Sequence, residues 1–242
     1  MTLQSSWETD DTAEPEPTPN LTAVPAVPER PRWWKRPWIV PLGFLAAAFL
    51  AMSLPAYVGL DRELSRVTLR DDFPLHYPMV LGHILFGTIA LVTVVLQVWP
   101  RLRERRPAVH RRVGRVYVFA GVIPTALLAL VLTPVSHGPA GNGVAAVLWL
   151  GATIAGYVAI RQGRRADHRR WMVYSFAITM QIVWGRVLFV TLSLIPAYDA
   201  EDPNNQALAF ETASWIGFVI NLLIASWWLR RTERRESHPV AA

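Results

Sequence analysis

The chain has 242 residues, 52% hydrophobic and 17% charged, with 24 basic and 18 acidic residues and no cysteine. That is too apolar for a soluble domain of this size, and the missing cysteines exclude disulfide scaffolds, thiolate zinc sites, iron–sulfur clusters and cysteine nucleophiles. A net charge of +6 would raise nucleic acid in a soluble chain; here the arginines follow a membrane pattern, and no nucleic-acid partner is expected.

Residues 1–37 hold seven prolines, several acids and little apolar content, and read as a disordered tail. Their apolar neighbour begins too late for a signal peptide. Six stretches then reach the roughly 20 apolar residues that a bilayer crossing needs: Trp38–Val58, Met79–Trp99, Val116–Val135, Val144–Ile160, Trp171–Ile195 and Thr212–Leu229. The fold expected is all-α, a polytopic membrane protein of six transmembrane helices. Residues 38–58 form a first anchor, 79–195 a central four-helix bundle of spans two to five, 212–229 the sixth helix, and 230–242 a basic tail.

The connections alternate in charge. Basic residues cluster at 30–36, 101–115, 161–170 and 230–235, so that 20 of the 24 fall on one side. By the positive-inside rule that side is cytoplasmic and holds both termini. Trp33, Trp34, Trp38, Trp99, Trp171, Trp227 and Trp228 lie near the same boundary, as an aromatic belt does. Arginine outnumbers lysine 23 to 1, in keeping with a GC-rich bacterial genome, so the expected location is a bacterial inner membrane. The lipid bilayer is one partner, and its anionic headgroups are expected at the arginine clusters.

Two of the basic connections end alike. His110-Arg111-Arg112 opens the third span and His168-Arg169-Arg170 the fifth, followed by Tyr117 and Tyr174; His83 and His137 precede them by 27 and 31 residues. Spans two–three and four–five thus read as two copies of one hairpin. A bundle so built brings His83 toward His137 at the outer side and His110 toward His168 at the inner side. These are the residues for two bis-histidine b-type haem sites, with Arg186 or the inner arginines near propionates. Gly82, Gly87, Gly114 and Gly121 would admit a flat macrocycle or a neighbouring helix. Against haem stand the interfacial setting of His110 and His168, the loop-like surroundings of His137, and Gln97 where dihaem helices carry a second histidine.

Arg186 is the only formal charge within the spans, and such a residue faces the bundle interior, pairs or snorkels; Glu211 and Asp199 are its candidate partners. His168, Ser175, Thr179, Arg186 and Ser193 are spaced 7, 4, 7 and 7 residues apart, which makes one polar stripe on the fifth span. Gln97, Gln181 and Asn221 are candidates for interhelical hydrogen bonds. Between the first two spans, Asp71, Asp72 and His76, with His83 and His137, offer oxygen and nitrogen ligands, but no spacing is diagnostic and a solvated, salt-bridged loop accounts for the acids better. No Walker loop, zinc-protease helix, nucleophile elbow or Rossmann fingerprint is present.

At Gly82-His83-Ile84-Leu85-Phe86-Gly87, His110-Arg111-Arg112-Val113-Gly114-Arg115-Val116-Tyr117 and Asp167-His168-Arg169-Arg170-Trp171-Met172, the chain resembles a bacterial family of predicted multi-pass membrane proteins, domain-of-unknown-function family 2306. The likeness runs from about Met79 to Ile195 and includes Arg186. The resemblance implies a compact multi-span domain with these histidines and arginines as characteristic residues, and no reaction. Three functions are compatible with the residues. One is a haem-binding electron-transfer protein that acts across the membrane or on quinone, an oxidoreductase component if it is an enzyme at all. The second is a small-solute carrier or receptor lined by the fifth-span stripe. The third is a non-catalytic assembly or lipid-interacting subunit.

Overall fold

A computed structural model describes residues 38–135, 140–195 and 202–237, and all regular structure within them is helical. The expected tail at 1–37 and His137 lie outside the described residues. Five helical spans are long and apolar enough to cross a bilayer, and a shorter apolar helix precedes them. The chain is a multi-pass helical membrane protein.

The first apolar stretch is broken near its end. Helix α1 (Ile39–Ser53) and a single turn, α2 (Pro55–Val58), are joined through Leu54, whose N–H still bonds Leu50 O at 2.9 Å. Pro55 supplies no N–H to continue the ladder. At 1.5 Å per residue, α1 alone covers about 22 Å, short of a 30 Å hydrocarbon core. Its Leu42, Leu45, Phe49 and Leu50 pack on Leu91, Met180 and Val183, while Val40 and Phe44 point outward at 67% and 76% exposure.

Helix α3 (His76–Val98) is the second span. The basic connection after it folds into α4 (Pro100–Arg105) and α5 (Pro107–Val116), each opening on proline. Trp99 (ψ 110°) and Arg106 (φ −132°, ψ 59°) leave the helical region, because a following proline crowds a helical conformation.

The third span runs from α5 through a π-helical stretch, Tyr117–Val122, into α6 (Ile123–Val135). The wide turn closes with Ile123 N–H on Val118 O, a bond over five residues. Pro124 explains its place: it cannot donate to Ala120 O, and its ring pushes that carbonyl aside. Gly121 sits inside the stretch because α3 passes against it. A Cβ there would lie 2.9 Å from Ala90 Cα.

Helices α7 (Ala140–Arg161) and α8 (Arg165–Ser193) are spans four and five. Gly163 takes φ +76° between them. Its N–H bonds Ile160 O at 3.1 Å and Arg164 N–H bonds Ala159 O at 2.9 Å, which is a Schellman cap. Arg164 pairs with Asp167 and holds Gln162 Oε1, which fixes the start of α8. Helix α9 (Pro203–Ser237) is the sixth span; it continues through the basic segment at 230–237, where arginine and glutamate favour helix.

The third span packs on α3 and α7, and α8 packs on α7 and α9. One core cluster joins Ala90 and Val94 of α3 to Tyr117, Val118 and Val122. Another joins Ala145, Ile178 and Phe218 across α7, α8 and α9. The sixth helix is thus built into the bundle alongside spans two to five. Exposed apolar residues such as Leu85, Val147, Leu223 and Ile224 cover the outer faces, as lipid contact requires.

Candidate functional site

The two His-Arg-Arg segments meet at the arginine-rich end of the bundle. His168 Nδ1 lies 2.8 Å from Gly156 O. A carbonyl only accepts, so Nδ1 is the donor and Nε2 is the ring's other nitrogen. His110 has Arg103, Arg111 and His168 in its surroundings, and among the described residues its buried Nδ1 has no hydrogen-bond partner. Gln97 Nε2 donates to His110 O at 2.9 Å, with Gly114 packed beneath its amide. The glutamine that stands where a second histidine was sought therefore anchors the backbone of His110. Each hairpin is zipped at this end by one such contact.

The equivalence of the hairpins extends inward. Tyr117 and Ser175 each follow their His-Arg-Arg histidine by seven residues, and they bond to each other at 2.6 Å. Tyr174, one position earlier on α8, turns instead to Ser226 Oγ of α9 at 3.3 Å, since one residue rotates a helical side chain by about 100°.

Tyr117 is the centre of a fully buried hydroxyl network. Thr179 Oγ1 must donate to Ser175 O at 2.8 Å, so it accepts from Tyr117 at 2.8 Å. Tyr117 then accepts from Ser175 at 2.6 Å and from Trp149 Nε1 at 3.2 Å. Ser175 in turn accepts from Thr153 at 2.7 Å. The protons follow one direction, Thr153 to Ser175 to Tyr117 to Thr179 to a backbone carbonyl, and every lone pair of the tyrosine is used. At Ser175 and Thr179 the polar stripe of α8 is thus closed by hydrogen bonds to neighbouring side chains.

Farther from the arginine-rich end, Asn142 Oδ1 accepts from Ser214 Oγ at 2.7 Å and from Gln181 Nε2 at 3.3 Å. Asn221 Nδ2 donates to Ala177 O at 3.1 Å. Gln97, Gln181 and Asn221 all make the interhelical bonds expected of them. Asn142, Ser214, Trp149 and Thr153 were not singled out; the signal available was their polarity inside apolar helices.

His83 Nδ1 faces Thr125 O at 3.2 Å, which leaves Nε2 as its other nitrogen, and His137 is outside the described residues. The four glycines face neighbouring helices. A Cβ on Gly82 would meet Leu128 at 3.2 Å, one on Gly87 would meet Thr125 at 3.6 Å, and Gly114 and Gly121 face Gln97 and Ala90. Close helix packing therefore accounts for them.

Arg186 stands 5.7 Å over the Phe210 ring, a cation–π contact. Its expected partner Glu211 is engaged by Trp215 Nε1 at 2.6 Å, and Asp199 is not among the described residues. The acids between the first two spans serve arginines: Arg62 with Asp71 at 3.1 Å and Arg70 with Asp72 at 2.5 Å. The Arg70 guanidinium holds the Asp72 carboxyl below the usual carboxylate range. His76 is fully buried and its Nδ1 accepts from Arg70 N–H at 3.0 Å. Among the described residues no three metal-ligating side chains converge; the loop is salt-bridged.

No curated protein and no solved structure is similar enough to match the chain. The predicted membrane protein family DUF2306 matches residues 80–229, from the start of α3 through the transmembrane part of α9. That segment holds the paired histidines, the hydroxyl network and the sixth helix alike, and the chain belongs to this family of predicted membrane proteins.

Proposed function

We propose that this protein is a membrane electron-transfer protein that holds b-type haem at its arginine-rich end, with His110 and His168 as axial ligands. The state of the two rings supports this reading. A buried polar atom without a partner costs about 1–3 kcal/mol, and the Nδ1 of His110 is such an atom. Ligation by that nitrogen would remove the cost. His168 has the other half of a ligand's arrangement: its Nδ1 is held by a backbone carbonyl, as the non-ligating nitrogen of metal-bound histidines commonly is.

The remaining residues have defined tasks in this scheme. Gln97 holds the peptide of His110, Gly156 orients His168, and Arg111 and Arg112 supply positive charge for propionates. When bound, haem supplies one-electron transfer, and a quinone within the bilayer is the partner that suits the location. His83, oriented by Thr125, is the candidate ligand for a second site at the opposite end, with His137. The arginine excess supports a reading in which the His110–His168 end and both termini face the cytoplasm, across a bacterial inner membrane.

The test is an absorption spectrum of the full chain, purified in mild detergent from haem-replete cells, oxidised and then reduced with dithionite. A sharp b-type α band is the expected result, with His110→Ala and His168→Ala each removing the contribution of the haem at the arginine-rich end. His83→Ala separates the two ends. A colourless protein after haem supplementation refutes the reading.

A further inference from the structure

At the arginine-rich end, α8 and α9 border an open cleft of about 260 Å³ lined by Arg170, Tyr174, Ser226, Leu229, Arg230 and Glu233. On α9 the lining positions follow one face at spacings of three, one and three, and Arg170 and Tyr174 are one turn apart on α8. Tyr174 and Ser226 share a hydrogen bond on its wall, and Arg230 Nε reaches Ser226 O at 3.4 Å. Among the described residues Arg170, Arg230 and Glu233 make no ion pair. Two guanidinium groups and one carboxylate thus border a single polar cleft without neutralising each other.

The surroundings give its depth. Trp171, Trp227 and Trp228 are 39%, 56% and 42% exposed, at the level where tryptophan belts meet headgroups. Arg169 lies 5.3 Å over Trp228 and Arg231 5.3 Å over Trp227. Leu229 provides an apolar floor. The occupant must therefore carry an anion for the arginines, a cation for Glu233 and a lipid tail.

We propose that this cleft binds the headgroup of a phospholipid with a primary amine, its phosphate between Arg170 and Arg230 and its ammonium on Glu233. The carboxylate discriminates: a purely anionic headgroup meets repulsion there, and a trimethylated amine offers no N–H to donate. This site is independent of haem and is read without it.

The experiment is native mass spectrometry of the delipidated full chain with equal amounts of phosphatidylethanolamine, phosphatidylcholine and phosphatidylglycerol. Phosphatidylethanolamine should be retained about tenfold over either competitor, equivalent to about 1.4 kcal/mol and near the low end for a hydrogen bond to a charged group. Glu233→Gln should abolish the preference over phosphatidylglycerol while lipid binding persists, and Arg170→Gln should weaken all three. Both side chains are exposed, so both variants should fold, with circular dichroism as the check. Equal retention of the three lipids, or an unchanged ranking in Glu233→Gln, overturns the proposal. Displacement by soluble phosphoethanolamine at equal concentration would overturn the lipid assignment in favour of a small phosphorylated amine.

Discussion

Replacing Tyr117 with phenylalanine removes one oxygen and leaves the ring that fills the core between α3, α7 and α8. That oxygen makes three hydrogen bonds, to Ser175, Thr179 and Trp149. Side-chain bonds between membrane helices average about 0.6 kcal/mol, so the loss comes to about 2 kcal/mol. Ser175→Ala removes two bonds, to Tyr117 and Thr153, for about 1 kcal/mol, and Thr153→Val removes one, for about 0.6 kcal/mol. The order of cost is therefore Tyr117, Ser175, Thr153. Because Tyr117 and Ser175 share a bond, the double variant should cost less than the two singles together. Unfolding in dodecylmaltoside micelles titrated with SDS, followed by circular dichroism, measures all four. A Tyr117→Phe protein within about 0.3 kcal/mol of the parent would refute the assigned network, as would a Thr153→Val cost equal to that of Tyr117→Phe.

Gly121→Ala should destabilise by about 1–3 kcal/mol, since its Cβ meets backbone on α3; Gly151→Ala, with nothing within 4 Å, should stabilise by about 0.5–1 kcal/mol. The same titration gives both signs, and a neutral Gly121→Ala would mean that α3 and the π-helical stretch are farther apart. Asp72 should titrate below about 3.9, the ordinary aspartate value, because Arg70 favours its charged form. The contribution of this pair is then present above that pH and lost as pH falls through the lowered value; a carboxyl NMR titration follows it, and Arg70→Gln should return the midpoint to the ordinary range. Arg186→Met should leave stability unchanged or raise it, because a charge within the span costs about 2.5–3.5 kcal/mol on insertion scales and Arg186 has a ring, Phe210, as its partner. A loss above about 1 kcal/mol on the SDS titration would point to an anion held by that arginine.

Hydropathy alone located all six apolar stretches, because a bilayer crossing demands a long run of apolar residues whatever packs against it. It missed what polar side chains achieve at helix ends. The fourth span already includes Ala140–Gly143 ahead of Val144, and Asn142 there is satisfied by Ser214 and Gln181 from other helices. Likewise, α5 extends the third span back to Pro107 through a basic, amphipathic turn that no apolar window detects. The break at Pro55 was visible as a proline, yet the apolar count ran through it. At the site, the spacing of the α8 stripe and the histidine repeat were legible from residue numbers. The partners of the stripe were not: whether Ser175 meets solvent, cofactor or Tyr117 depends on the register between helices, and a single chain does not encode that register locally.

The π-helical turn also sets an angular phase. It inserts about one residue into the third span, so everything from Ile123 to Val135 is rotated by about 100° relative to where an unbroken α-helix starting at His110 would carry it. In the observed phase Tyr117 faces α8, Gly121 meets Ala90, and the carbonyl of Thr125 meets His83. Deleting a single residue, such as Ala120, would take out the inserted residue and set Pro124 against the carbonyl of Phe119. It would also swing the far half of the span away from α3, so that the histidine faced lipid or an alkyl side chain in place of an oxygen. The two ends of the bundle are thus geared to each other through one irregular turn.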